Sequence, residues 1–208
     1  MYKIIKNCRI CNSKKLNLFF KLGSHVPANS LGKKLSQKEF PIPLNLCFCK
    51  NCNTVQLNTT ADPKVLFEDY VWVTGTSLGA NKYSTFFYEN VIKRIPNLKK
   101  KKNIFEIASN DGTFLKSFKK NGYKAIGIDP AKNISKIANN NGIQTLPIFF
   151  NEKNSRLIKK KYGHAGLIFA RNVIPHVENI HSIFKGVKNL LDKDGTFIIE
   201  FHYSNKIL

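Results

Sequence analysis

Two pairs of cysteines, Cys8-x2-Cys11 and Cys49-x2-Cys52, constrain this chain more than any other feature. A two-residue gap lets both sulfurs of a knuckle converge on one ion about 2.3 Å away, and two such knuckles complete a tetrahedron. No apolar run approaches the roughly 18 residues that span a bilayer, and Met1 to Arg9 lacks the apolar stretch of a signal peptide. The expected location is therefore the cytoplasm, where thiols stay reduced and paired cysteines read as metal ligands rather than disulfides. The expectation is a closed, structural four-thiolate zinc site holding together a small loop-rich zinc-binding domain, residues 1–60. Cys47 adds a thiol two residues before Cys49, and in a strand the two share a face, so an alternative ligand set stays open. His25 reads as an ordinary loop residue.

Residues 61–102 read as a helical connector. Tyr83, Phe86, Phe87, Tyr88, Val91 and Ile92 recur at mixed spacings of three and four, as in an amphipathic helix, and the run Lys99–Lys102 marks a solvated junction. From residue 103 onward, short apolar runs alternate with helical stretches, the order of a parallel α/β sheet. Strands are expected at Asn103–Ala108, Lys124–Asp129, Gln144–Leu146, Leu167–Ala170 and Thr196–Phe201. Helices are expected at Thr113–Asn121, Pro130–Asn141, Glu152–Tyr162 and His176–Leu191. Asp129-Pro130 reads as an N-cap followed by proline at the first helical position, and Asp194-Gly195 as a tight turn into the last strand.

The first of these strands breaks at Glu106-Ile-Ala-Ser-Asn-Asp-Gly112 into a small-polar turn and then a helix, a layout in which backbone N–H groups face a ligand. It is not the dinucleotide fingerprint, whose several glycines let a pyrophosphate approach the backbone. Only Gly112 remains here, with Ala108 and Ser109 as small neighbours, which suits a cofactor without a diphosphate. The second strand ends in Asp129, where a carboxylate can accept both ribose hydroxyls of an adenosine. Together these features point to S-adenosylmethionine, with Glu106, Ala108, Ser109, Asn110, Asp111, Gly112, Asp129 and Pro130 as candidate binding residues. The competing reading is a plain strand–helix connection with Asp129 as a helix cap.

Lys+Arg 34 against Asp+Glu 13 leaves a net charge of +21, an imbalance that often marks a nucleic-acid partner. The positives are scattered along the whole chain and accompany many Asn and Ile, so the charge does not by itself define a binding surface.

Glu106-Ile-Ala-Ser-Asn-Asp-Gly-Thr-Phe-Leu115, Gly127-Ile-Asp-Pro-Ala131 and Ala170-Arg-Asn-Val-Ile-Pro-His176, preceded by the two cysteine pairs, resemble the bacterial S-adenosylmethionine-dependent sugar C-methyltransferases. The resemblance implies a zinc-binding domain followed by a Rossmann-like class I methyltransferase sheet, here over residues 103–208 and incomplete, without the family's C-terminal domain. It implies a nucleotide-linked 4-keto-hexose substrate methylated beside the ketone; the lack of a spanning apolar run and the scattered charge lead to no expectation of a membrane or nucleic-acid partner. By position it assigns Asn172 and His176 to the active site, and Tyr70 to the rim of the pocket. Where the family usually has glycine in the cofactor turn this chain has Ala108, and its stop at Leu208 reads as a truncation. The alternatives are a small-molecule O- or N-methyltransferase, which needs no acidic C–H in its substrate, and a zinc-ribbon nucleic-acid binder or RNA methyltransferase. A folded but inactive fragment is a further reading.

Overall fold

The computed structural model describes residues 2–28, 39–100 and 103–202. Of the expected Lys99–Lys102 junction, Lys101 and Lys102 lie outside the described residues. Contacts divide the chain into two compact units, Met1–Tyr70 with Glu178–Ile180, and Val71–Val177 with His181–Leu208. Among the described residues no helix is long and apolar enough to cross a membrane.

The first unit contains β1 (Tyr2–Ile4), β2 (Leu16–His25), β3 (Ile42–Cys49), β4 (Val55–Leu57), β5 (Thr59–Ala61) and the short helix α1 (Pro63–Phe67). β2, β3 and β4 form an antiparallel sheet in that order, and β1 pairs antiparallel with β5. The expected loop-rich domain is therefore a small all-antiparallel one. Its strands escape sequence reading because β2 is exposed along nearly its whole length, so no in–out alternation marks it. Among the described residues of this unit, the buried apolar side chains are Cys8, Cys47 and Cys49. A hydrophobic core that small cannot hold a domain, and the thiols take its place.

The second unit contains α2 (Leu78–Arg94), β6 (Asn103–Ile107), α3 (Lys116–Lys120), β7 (Lys124–Ile128), α4 (Lys132–Asn140), β8 (Thr145–Leu146), α5 (Glu152–Tyr162), β9 (Ala165–Arg171), α6 (Ile180–Leu190, its first residue grouped with the other unit) and β10 (Leu191–Glu200). All five strands are parallel and run β10-β9-β6-β7-β8 across the sheet. The chain steps outward from β6 to β7 and β8, then returns to the other side of β6 as β9. That reversal makes the carboxyl ends of β6 and β9 a topological switch point, the place where open α/β sheets hold ligands.

Register decides which side chains meet on each face. Ile104 pairs with Leu167 and Glu106 with Phe169, while Arg171 pairs with Glu200, so these residues share one face of the sheet. α2 and α3 cover that face: Phe87 and Phe118 lie with ring centroids 5.1 and 5.8 Å from Phe169. Phe105 and Phe197 occupy the opposite face and meet Tyr162 of α5 and Phe184 of α6. The all-apolar runs of β6 and β9 follow from burial on both sides.

Several ends differ from expectation. The helix expected from Pro130 starts at Lys132, because Asp129 caps the Ala131 amide at 2.9 Å and the chain at Ala131 is still extended. The helix expected from Thr113 opens as a 310 turn, Thr113–Leu115, before α3. The helix expected from His176 starts at Ile180: Ile174–His176 is a 310 turn carrying Pro175, and extended Val177 ends it. Asp194-Gly195 lies within β10, where the pairing with β9 shifts register, because Gly195 backs closely onto the Ala165 carbonyl.

Candidate active site and metal centre

The two cysteine knuckles are built alike. The Cys8 carbonyl accepts from the Asn12 amide and the Cys49 carbonyl from the Asn53 amide, both at 2.9 Å. Asn12 and Asn53 each follow the second cysteine of their knuckle in left-handed conformation, φ 59° and 60°, which asparagine tolerates better than most residues. The turns converge: all four sulfurs of Cys8, Cys11, Cys49 and Cys52 lie within 4.8 Å of one another. Cys8–Cys52 and Cys11–Cys49 are 3.6 Å apart. A tetrahedral zinc with 2.3 Å bonds sets sulfurs about 3.8 Å apart, so the donor set fits that ion. Donors from Thr54 push the Cys52 thiol down to about 6, whereas burial pushes the Cys8 thiol up to about 11. Cys47 lies outside the group and pairs in the sheet with Leu18 and Gln56.

At the carboxyl end of β6 the backbone turns through three left-handed residues, Ala108, Asn110 and Gly112, with φ 57°, 52° and 76°. At Gly112 a side chain would strike Ile143, and at Ala108 the methyl is carried at a cost of about 1 kcal/mol. The turn is closed by the Gly112 amide donating to the Ser109 carbonyl at 3.0 Å. Asp129 comes to it from the end of β7: its Oδ2 accepts from the Asn110 amide at 2.8 Å while its Oδ1 accepts from Ala131. Two backbone donors thus orient the carboxylate, leaving further lone pairs on each oxygen. Burial raises the Asp129 carboxyl above its usual value, and those two amides oppose the rise. Pro130, half-buried, follows it.

Asn110 and Asp111 use their side chains inside the protein. Asp111 accepts from the Thr113 hydroxyl at 2.7 Å, from the Thr113 amide, and from the Gly75 amide at 3.2 Å. Asn110 accepts from the Thr74 amide at 2.8 Å and donates to the Trp72 carbonyl at 2.9 Å. Residues 71–77 therefore form a strap bound to the turn. A Cβ on Gly75 would stand 2.3 Å from Asp111 Oδ2, so only glycine allows this approach. The lone glycine between two threonines is the one sequence sign of the strap.

Two polar atoms beside the turn have no partner: Glu106 Oε2 and Ser109 Oγ, both buried. An unpaired buried acceptor is costly unless a ligand engages it. Burial drives the Glu106 carboxyl well above its usual range; Arg171 pulls it back, while Asp129, Asp111 and Glu200 push it further up. Unpaired acceptors, left-handed backbone and a carboxylate in hydrogen-bond reach of the turn fit an adenosyl cofactor bearing an ammonium group and ribose hydroxyls.

Sequence reasoning missed the wall beside this turn. Arg171, at the end of β9, donates to Glu200 at 2.9 Å, and its guanidinium carbon lies 3.2 Å from the Phe114 ring centroid. The Tyr83 hydroxyl donates to the other Glu200 oxygen at 2.7 Å. Next to Arg171, Asn172 adopts φ 52° with its amide bonded to the Glu200 carbonyl at 2.7 Å, and its side chain is exposed. His176 lies four residues on, at the end of the 310 turn. Partial desolvation and the charge of His202 lower its pKa, favouring a neutral ring that can accept a proton. Tyr70 belongs to the first unit, its ring 6.3 Å from Phe67.

Residues 81–206, more than half of the chain, match the family model described as "Methyltransferase domain". The chain belongs to the methyltransferase domain family. Residues 8–67 of the methyltransferase match a second family model, "Putative zinc binding domain", which spans both knuckles. C-methyltransferase NovU of Streptomyces niveus is 29% identical over 206 residues, 98% of this chain and 49% of that protein. The chain thus spans about half the length of the curated relative it matches. The PH0226 protein of Pyrococcus horikoshii shares the fold, with TM-score 0.51 and 15% identity over 70% of this chain and 62% of that one. The methyltransferase accordingly has a class I sheet preceded by a small zinc-binding domain. The turn at Ala108–Gly112 fits S-adenosylmethionine as methyl donor, and the four-cysteine cluster, within the matched zinc-binding domain, fits zinc.

Proposed function

We propose that this chain is a cytoplasmic S-adenosylmethionine-dependent C-methyltransferase that methylates the carbon beside the ketone of a nucleotide-linked keto-deoxysugar, with no membrane or nucleic-acid partner. The observation that carries the reading is the 2.8 Å bond between Asp129 and the Asn110 amide, which sets a ribose-accepting carboxylate against a turn too poor in glycine for a diphosphate. C-methylation is favoured by the 29% identical relative, whose name specifies it.

In this reading Glu106, Ala108, Ser109, Asn110, Asp111, Gly112, Asp129 and Pro130 form the donor site. Asp129 takes the ribose hydroxyls, the unpaired Glu106 oxygen accepts from the donor's ammonium group, and Asn110 and Asp111 shape the turn. S-adenosylmethionine supplies an electrophilic sulfonium methyl. His176, whose pKa partial burial and the nearby His202 lower, accepts the proton beside the ketone, and the electron pair left behind delocalises onto the ketone oxygen. Asn172, its backbone fixed by Glu200, positions the sugar. The carbon then forms its bond to the methyl as the carbon–sulfur bond breaks. Cys8, Cys11, Cys49 and Cys52 hold a structural zinc with no part in this chemistry.

Calorimetric titration with S-adenosylhomocysteine tests the donor site: Asp129→Ala is expected to lose binding, and unchanged affinity refutes the assignment. Loss of deuterium from a nucleotide-linked keto sugar labelled beside the ketone tests the chemistry, since O- or N-methylation leaves the label in place.

A further inference from the structure

The side-chain amide of Asn110 bonds the two peptide groups that flank Val73, accepting from Thr74 N–H at 2.8 Å and donating to the Trp72 carbonyl at 2.9 Å. This is the pair of bonds a neighbouring β-strand would make. A left-handed backbone alone accounts for asparagine at φ 52°, but it does not require both amide atoms to grip a segment more than thirty residues away. The Asn110 backbone amide is itself the group held by Asp129, at 2.8 Å. One residue therefore touches the ribose-accepting carboxylate through its main chain and the strap through its side chain.

We propose that Asn110 is a positioning residue that couples donor binding at the turn to the ordering of the strap, residues 71–77. The inference rests on the donor site proposed above. A ligand that engages Asp129 or the turn backbone fixes the plane of Asn110, and a fixed Asn110 fixes the strap. Linkage makes the effect reciprocal: a strap released from the turn weakens donor binding by the same factor that the donor orders the strap.

The chain contains a single tryptophan, Trp72, half exposed at 54%, and its carbonyl is one of the two groups Asn110 holds. Its fluorescence reports the strap without any turnover. S-adenosylhomocysteine is titrated into the full chain while calorimetry records binding and Trp72 emission and acrylamide quenching are read in parallel. In the unaltered protein, saturation is expected to shift the emission and reduce quenching. Asn110→Ala is expected to bind about tenfold more weakly, as for two modest hydrogen bonds, and to leave the emission unmoved even at saturation. Gly75→Ala changes no residue of the turn and drives the strap away from Asp111, so it is expected to abolish the emission response too. This second variant keeps the test open if Asn110→Ala does not fold. Binding heat without any Trp72 response in the unaltered protein overturns the coupling and leaves the donor site standing. A full-sized response in either variant also overturns it. Absence of binding heat in the unaltered protein overturns the donor site itself, and the coupling with it.

Discussion

Glu106, next to last in β6, is 2% exposed and leaves Oε2 without a partner. Replacing it with glutamine keeps the shape and removes the titratable charge. A carboxyl whose folded pKa lies above its unfolded value of 4.5 contributes stability that is fully present below that value and is lost as pH rises through the folded pKa. Glutamine does not titrate, so Glu106→Gln should match the unaltered protein near pH 4 and become the more stable of the two as pH rises. The size follows from the cost of keeping one buried carboxyl ionised at pH 8, about 1–3 kcal/mol or more, reduced by whatever attraction to Arg171 is lost. For a chain of this length each kcal/mol moves the melting midpoint by about 2–4 °C. Urea unfolding at pH 4.5 and pH 8 without ligand measures the difference at both ends, and S-adenosylhomocysteine titration should show that the stabilised variant binds more weakly. A pH-independent stability difference, or a variant less stable at pH 8, would refute the view that Glu106 is held there at a cost to the fold for the sake of a ligand.

Gly127 faces the turn so closely that a Cβ would stand 2.3 Å from Ser109 Oγ and 2.6 Å from Thr145 Oγ1. Gly127→Ala should cost about 1–3 kcal/mol in thermal unfolding and weaken S-adenosylhomocysteine binding by displacing the turn; a variant with native melting and native affinity contradicts the packing. Stripping the metal with a chelator, or Cys11→Ser, should unfold the first unit, since zinc contributes about 10 kcal/mol or more to such sites; elemental analysis should give near one zinc per chain, and its absence removes the site. His176→Gln removes the group that would take the proton, so deuterium loss from the labelled sugar should fall by about a hundredfold or more; unchanged exchange denies His176 the role of base.

The cysteine pairs, the strand–turn–helix at Glu106–Leu115 and the order of strands and helices after residue 103 were legible in the sequence because each rests on local periodicity or fixed spacing. α5, capped by Asn151 and ended by Gly163, follows the expected bounds at both ends. Its signals are contained in neighbouring residues. The antiparallel strands of the first unit were not legible: β2 buries almost nothing, so its side chains carry no alternation to read.

The sequence by itself determined two paired cysteine knuckles, a parallel α/β sheet and a small-polar turn between the first strand of that sheet and its helix, all consequences of patterns a few residues long. Only the tertiary structure decided that Asn110 and Asp111 hold the strap and that Arg171 and Tyr83 converge on Glu200. These contacts join residues tens of positions apart through strand order and register, which no local pattern encodes. A buried carboxyl such as Glu106 takes its pKa from the charges and solvent around it, and those exist only once the chain has folded.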